Sequence, residues 1–259
     1  MNYKLLAADM DGTLLNDQSQ VSEHTRKTVL HAMARGMLFV PSTGRPMCGM
    51  GYIQSLFPGD LPYILFNGAF AMTGESKKVL FAKNLGVEHA KEIYDLGMAR
   101  GIPVVMWVGE KLCVSHDCPA IQEYRAITSA PMFAIEAFHN VTKMLWLPPT
   151  GEALRWQDEM NRHFEGRVNC HTSRPHILEF VDAGASKGLA LAAIGAAYGI
   201  AREEMIAVGD GWNDAAMLEY AGLGVAMGNA PAGIKNLCDE VTASNQEDGV
   251  AKVVERYWL

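Results

Sequence analysis

The chain has no long uninterrupted apolar run. Its longest stretch without a charged residue, 220–234, is broken by glycines and by Pro231. A helix across a bilayer needs about 20 apolar residues, so no membrane span is expected. A secretory leader is not expected either, because Asp9 and Asp11 interrupt the only N-terminal apolar run. Basic residues are too few and too scattered for a polyanion-binding face. There are 22 Lys and Arg against 29 Asp and Glu, a net charge of −7, with no dense cationic run, which argues against a nucleic-acid partner. Cysteine is sparse: five residues with no Cys-x-x-Cys, the pattern of reduced thiols in a cytoplasmic protein. Cys113, His116 and Cys118 lie close together, but their spacing fits no standard zinc pattern. Neither G-x-x-x-x-G-K-[ST] nor G-x-G-x-x-G is present, so the common nucleotide loops are missing.

What is present describes a globular α/β chain. Hydrophobic residues make up 49% and charged residues 20% of 259 residues, enough to bury a sizeable core. The run "KLLAAD" reads as a short buried strand, and "MLFVPST" and "PYILFNGA" as two more. Between the first two, "SEHTRKTVLHAMARG" carries apolar residues at helical spacing and stops at Gly36. The last third resumes this rhythm: a helix over 186–199, a strand in "EMIAVGD", a helix in "NDAAMLEYAG", a strand in "GVAMGN" and a terminal helix from Asp248. Such alternation implies a doubly wound, mostly parallel sheet with helices on both faces. The middle differs, with strand-like runs such as "IPVVMWV", "KLCVS", "TKMLWLP" and "ILEFVDA" separated by short turns and interleaved with helical ones. The expected organisation is a core of residues 1–83 plus 186–259 and an inserted α+β domain of residues 84–185. Trp107, Trp146 and Trp156 read as core of that insert.

The polar clusters share one placement: each follows an apolar strand. Asp9 and Asp11 follow the first, Thr43-Gly44-Arg45 the second, Asn67-Gly68 the third, and Asp210 with Asn213 and Asp214 a later one. Lys187 opens a helix with Ser186 as a plausible cap. Ligands of open α/β sheets bind beyond the carboxyl ends of the strands, so these side chains are candidates for one rim. Asp9 and Asp11 as a calcium loop fail: position 12 counted from Asp9 is Gln20, where that loop needs Glu. Two carboxylates so close repel each other, which calls for a cation among them.

These stretches resemble the motifs of the haloacid dehalogenase-like superfamily. Asp9-Met10-Asp11-Gly12-Thr13 resembles its first motif, Thr43-Gly44-Arg45 its second, Lys187 in "ASKG" its third and "GDGWND" its fourth. The position of the insert, "NGA" at Asn67 and "GVAMGNA" are similar to the Cof-type subfamily with a type IIB cap. The resemblance extends over essentially the whole chain. It implies a Mg2+-dependent phosphatase of small phosphorylated metabolites, sugar phosphates first, with pyridoxal phosphate or flavin mononucleotide also possible substrates. Asp9 would be the nucleophile that forms an aspartyl-phosphate. Asp11 would be the general acid and base, its side chain left free because its backbone carbonyl faces the metal. Lys187 and Thr43 would hold phosphoryl oxygens, with Thr43 preferred to Ser42 because it directly precedes Gly44. Asp9, Asp11, Asp210 and Asp214 are the implied metal residues, Asp214 through water. Thr13, Gly44, Arg45, Asn67 and Asn213 are expected on the substrate side. Arg45 is left open between a substrate contact and a bridge to the cap, and Asn67 between a phosphate-side contact and a turn residue. Asn229 is expected to support the metal loop. Arg174 and His176 of the insert either face the leaving group or lie on the surface. Two other activities stay open: a sugar phosphomutase with the same intermediate, and a phospho-accepting signalling domain. Protein partners are left open.

Overall fold

The computed structural model describes residues 3–128 and 130–259. They form two compact units. The first runs through Arg45, resumes over Met50–Phe81 and returns at Ser186–Leu259; the second comprises Pro46–Gly49 and Ala82–Ala185. The short segment Pro46–Gly49 thus departs from the continuous 1–83 core expected from sequence. Its Met47 N–H donates to Glu110 Oε1 at 3.2 Å, a long-range bond that no local pattern announces.

In chain order the first unit begins with β1 (Leu5–Asp9), α1 (Glu23–Ala34), β2 (Leu38–Ser42), α2 (Gly51–Leu56), β3 (Pro62–Leu65), β4 (Phe70–Thr73) and β5 (Val79–Ala82). The second unit carries α3 (Val87–Ala99), β6 (Val104–Val108), β7 (Lys111–Val114), α4 (Pro119–Thr128), β8 (Met132–Ala134), β9 (Lys143–Trp146), α5 (Ala153–Phe164), β10 (Val168–Arg174) and β11 (Ile177–Asp182). The first unit is completed by α6 (Lys187–Tyr198), β12 (Met205–Gly209), α7 (Ala215–Tyr220), β13 (Leu223–Ala226), α8 (Ala232–Leu237), β14 (Glu240–Val241) and α9 (Gly249–Trp258).

An eight-stranded sheet in the order β14-β13-β12-β1-β2-β3-β4-β5 organises the first unit. Neighbours from β14 to β3 pair in parallel, and β3 meets β4 antiparallel. Every residue of β1 is buried, as a central strand covered on both faces must be. The chain winds outward from β1 through β2 and β3, and returns on its other side through β12 and β13. The strand order therefore reverses between β1 and β12, where such sheets open a binding crevice. Helix α6 packs Ala190, Leu191 and Ile194 with Leu5, Ala7 and Met205 of the sheet. Its start is set locally: Ser186 accepts the Leu189 N–H at 3.2 Å, while Gly199 stops the far end.

The second unit is built on a six-stranded sheet, β10-β11-β9-β6-β7-β8, antiparallel except between β7 and β8. Alternation along β9 sends Met144 and Trp146 into a core with Phe164, Phe180 and Ile93. The Trp146 indole N–H donates to the Ile93 carbonyl at 3.0 Å, and that of Trp107 to Tyr124 Oη at 3.0 Å. Trp156 packs partly buried against the same core. Lys143 and Glu179 form a buried ion pair at 2.6 Å, with His171 Nε2 at 3.2 Å from the same carboxylate oxygen.

Candidate active site

The parallel arrangement delivers the carboxyl ends of β12, β1, β2 and β3 to one edge of the sheet. Asp9 closes β1, paired in register with Ser42 on β2. Thr43 follows β2, Asn67 follows β3, and Asp210 follows β12. Lys187 is the first residue of α6, and its side chain is fully buried.

The Lys187 ammonium donates to Asp9 Oδ1 and, at 2.6 Å, to Asp214 Oδ1. Asp214 Oδ2 accepts the backbone N–H groups of Asp210 and Gly211 at 3.0 and 2.9 Å. Both Asp214 oxygens are therefore committed within the protein. Asp210 is oriented differently: its Oδ1 accepts from the Thr13 hydroxyl at 3.0 Å. One carboxylate oxygen from each of Asp9, Asp210 and Asp214 lies within 4.8 Å of the others, the one such acid, His or Cys cluster among the described residues.

Three acids facing a single ammonium leave uncompensated negative charge in a buried place. Burial pushes the Asp9 carboxyl up, to about 8; Asp214 and Asp210 push it the same way, against the pull of Lys187. Burial also raises Asp210, with Asp214 and Asp11 adding to the effect and Thr13 and Lys187 opposing it. Burial alone would lower Lys187, but Asp9 and Asp214 outweigh it and hold the ammonium above its usual value. A surplus of buried carboxylate charge made only of oxygen donors fits a hard divalent cation.

The loop after β1 carries Asp11, whose side chain is 58% exposed. It is engaged: the Arg45 guanidinium donates through Nε to Asp11 Oδ2 at 3.2 Å and through its terminal nitrogen to Oδ1. The Asp11 carboxylate is thus paired with a cation, Arg45. Arg45 reaches this position because it lies two residues beyond Thr43, whose Oγ1 accepts the Arg45 N–H at 3.2 Å. Thr43 is buried, as is Ser42, whose Oγ has no hydrogen-bond partner. Asn67 is in the left-handed region, φ 56°, and accepts from Asn213 Nδ2 at 3.3 Å. Beside it, Gly68 has φ +91°, and a Cβ there would fall 2.1 Å from the Ser186 carbonyl carbon, so this turn requires glycine. Gly44 passes so close that its Cβ would stand 3.0 Å from Asn67 Oδ1. Asn229 donates to the Gly12 carbonyl at 2.8 Å. Arg174 and His176 belong to the β10–β11 hairpin of the second unit, and Arg174 is exposed.

The residues that sequence reasoning overlooked are of one kind. Asn245 donates to the Leu15 carbonyl at 3.0 Å, and its own N–H donates to Asn229 Oδ1 at 3.0 Å. No motif marks Asn245; its contacts span about 230 positions of chain.

A doubly wound sheet with a buried acid–lysine cluster beside its switch point is the architecture of an α/β enzyme. The chain belongs to the haloacid dehalogenase-like hydrolase family, whose model matches residues 6–254. It is similar to two Bacillus subtilis proteins, the 5-amino-6-(5-phospho-D-ribitylamino)uracil phosphatases YcsE and YitU. YcsE is 31% identical over 100% of this chain and 97% of its own, and YitU is 29% identical over 98% of this chain and 97% of its own. Among solved structures it resembles a haloacid dehalogenase-like hydrolase from Bacteroides thetaiotaomicron, with TM-score 0.85 and 30% identity over 98% of this chain and 99% of that one. No helix among the described residues is long and apolar enough to cross a membrane.

Proposed function

We propose that this hydrolase, a phosphatase like its relatives, releases phosphate from small phosphorylated metabolites, sugar phosphates first among them, through an aspartyl-phosphate on Asp9 and with Mg2+ as cofactor. The observation that carries this reading is the buried Asp9–Lys187–Asp214 cluster with Asp210 beside it, at the edge where four neighbouring parallel strands end.

Asp9 is the nucleophile. One of its carboxylate oxygens forms a bond to phosphorus while the bond from phosphorus to the leaving oxygen breaks, and the electron pair departs with that oxygen. The developing alkoxide takes a proton from Asp11. Arg45 holds Asp11 at two points and must yield its share of the carboxyl when the acid is protonated. In the second half, Asp11 accepts a proton from water as that water attacks phosphorus, and the Asp9 carboxylate is released with inorganic phosphate. Lys187 fixes the Asp9 carboxylate and, with Thr43, offers donors to the phosphoryl oxygens.

Asp9 and Asp210 would hold the cation, together with the Asp11 carbonyl; Asp214, both of whose oxygens are occupied, holds the loop that presents Asp210. When bound, Mg2+ offsets the repulsion between an attacking carboxylate and a phosphate dianion. The second unit would supply the specificity for the leaving group.

The test is turnover of p-nitrophenyl phosphate and a panel of phosphorylated metabolites, with and without chelator, followed by mass analysis of acid-quenched enzyme. Chelator-sensitive phosphate release and a phosphoryl adduct on the peptide containing Asp9 are expected. Absence of turnover on every member of the panel at saturating Mg2+ would overturn the assignment.

A further inference from the structure

The loop that carries Asp11 is held by few bonds of its own. Gly12 sits at φ +87°, and beyond three backbone bonds, Thr13 N–H to the Met10 carbonyl at 3.4 Å, Leu14 N–H to the Asp9 carbonyl at 3.1 Å and Leu15 N–H to the Met10 carbonyl at 2.8 Å, neither helix nor strand fixes it. Its outward carbonyls are met from elsewhere. Asn229 Nδ2 donates to the Gly12 carbonyl at 2.8 Å, and Asn245 Nδ2 donates to the Leu15 carbonyl at 3.0 Å and to Asp17 Oδ1 at 3.3 Å. The two amides are themselves joined, because the Asn245 N–H donates to Asn229 Oδ1 at 3.0 Å. That bond fixes which end of the Asn229 amide faces the loop. A further tie follows at Asp248, which accepts from Ser22 Oγ and, at 3.0 Å, from Thr25 Oγ1.

We infer that Asn245, acting through Asn229 and the Leu15 carbonyl, is a positioning residue for the general acid Asp11. The inference rests on the acid–base role proposed above. Its chemistry is specific. The two amide donors grip the loop at carbonyls three residues apart, on either side of Thr13, the residue that orients Asp210. Most of these bonds are solvent-exposed, so water replaces a lost donor with small effect on folding. Water cannot replace the geometry, and proton transfer demands placement to within about 0.5 Å. A residue of this kind therefore affects turnover more than stability. Nothing local in "TASNQEDG" signals it, since the bridge exists only when the chain end returns beside the first strand.

The experiment compares wild type, Asn245→Ala and the isosteric Asn245→Asp on two substrates, p-nitrophenyl phosphate and an alkyl phosphate, with thermal unfolding measured alongside. Asn245→Asp preserves shape and the backbone N–H while removing the donor, so it serves if the alanine variant folds poorly. The expected result is a fall in kcat of about 10–100-fold on the alkyl phosphate, whose leaving group needs the proton, and a clearly smaller fall on p-nitrophenyl phosphate. KM should stay within about twofold, and the double variant Asn229→Ala/Asn245→Ala should lose little more than either single one, as members of one bridge do. Equal losses on both substrates, a loss confined to KM, or unchanged kcat on the alkyl phosphate would overturn the inference. If wild type turns over neither substrate, the phosphatase reading fails instead, a result recognisable before any variant is made.

Discussion

Lys187 Nζ stands 2.6 Å from Asp214 Oδ1 while donating at the same time to Asp9, and all three side chains are nearly inaccessible to water. Among the described residues the lysine is thus the one cation paired with these two buried acids. Lys187→Met removes that charge without much change in volume. Breaking a buried pair by deleting one partner costs about 3–5 kcal/mol. At about 2–4 °C per kcal/mol for chains approaching this size, the melting temperature should fall by about 6–20 °C. Added Mg2+ should recover part of the loss, because a divalent cation takes up charge that the lysine no longer balances. Calorimetry with and without Mg2+ checks both effects; a melting temperature within 2 °C of wild type, a margin of about 1 kcal/mol, would mean the ammonium is not a structural centre of the site.

The two acids at the end of β1 should separate by leaving group. Asp9→Asn is expected to abolish turnover and the phosphoryl adduct together, since a carboxamide is no nucleophile here. Asp11→Asn should retain the adduct-forming carboxylate but lose the proton donor. Its deficit is therefore larger for an alkyl phosphate than for p-nitrophenyl phosphate, by about the 10²–10⁴-fold range of general acid catalysis. Steady-state rates on the two substrates decide it. An Asp11→Asn enzyme equally slow on both would remove the acid role.

Gly12 offers a backbone test of the same edge. A Cβ there would fall 2.5 Å from Asp210 Oδ2, and the backbone is at φ +87°. Gly12→Ala must therefore strain the loop, by about 1–2 kcal/mol, and displace the Asp210 carboxylate at the same time. The expected outcome is a several-fold rise in the Mg2+ concentration needed for half-maximal activity, together with a fall in kcat. A metal titration of the purified variant measures both. An unchanged Mg2+ requirement would show that Asp210 is not among the donors.

Much of this site is visible in the sequence because its signals are local. "LLAAD" is apolar on every position, as a strand buried on both faces requires, and it ends in the acid. Ser186 and Gly199 bracket α6 with ordinary capping chemistry, so Lys187 falls at its first turn. The second β-rich hairpin of the core, β4 with β5, and the polar strand β10 are not legible in this way. β10 reads "VNCHTSR", and it is a strand because β11 supplies its ladder. The commitment of Asp214 to Lys187 and to two backbone N–H groups, the Arg45–Asp11 pairing and the Asn229–Asn245 bridge share the same cause of invisibility. Each joins residues 27 or more positions apart, or fills hydrogen bonds that a motif does not encode. Asn229 and Asn245 are only 16 positions apart, but what they serve lies at residues 12 and 15.

The second unit carries its own acid-sensitive element in Glu179. Burial alone would raise this carboxyl, but the Lys143 charge, the hydrogen bond and charge of His171 and the Lys143 hydrogen bond together hold it well below the usual 4.5. A folded-state value below the unfolded one means that the unfolded chain takes up the proton first. The stabilisation is thus complete above about pH 4.5 and is lost progressively as pH falls from there toward the depressed folded value. Glu179→Gln abolishes this acid slope and leaves the buried Lys143 ammonium facing a neutral amide in place of the carboxylate, at a cost of about 3–5 kcal/mol near neutrality. The double variant Lys143→Met/Glu179→Leu removes both charges; it also lacks the acid slope, yet its stability at neutral pH should equal or exceed that of wild type. Near-ultraviolet circular dichroism, to which the buried Trp107 of β6 and Trp146 of β9 contribute, follows unfolding through urea titrations at pH 3.5, 5 and 7. If the double variant proves as unstable at pH 7 as Glu179→Gln, the pair contributes more than charge balance, and the account of Glu179 given by burial and its two cations fails.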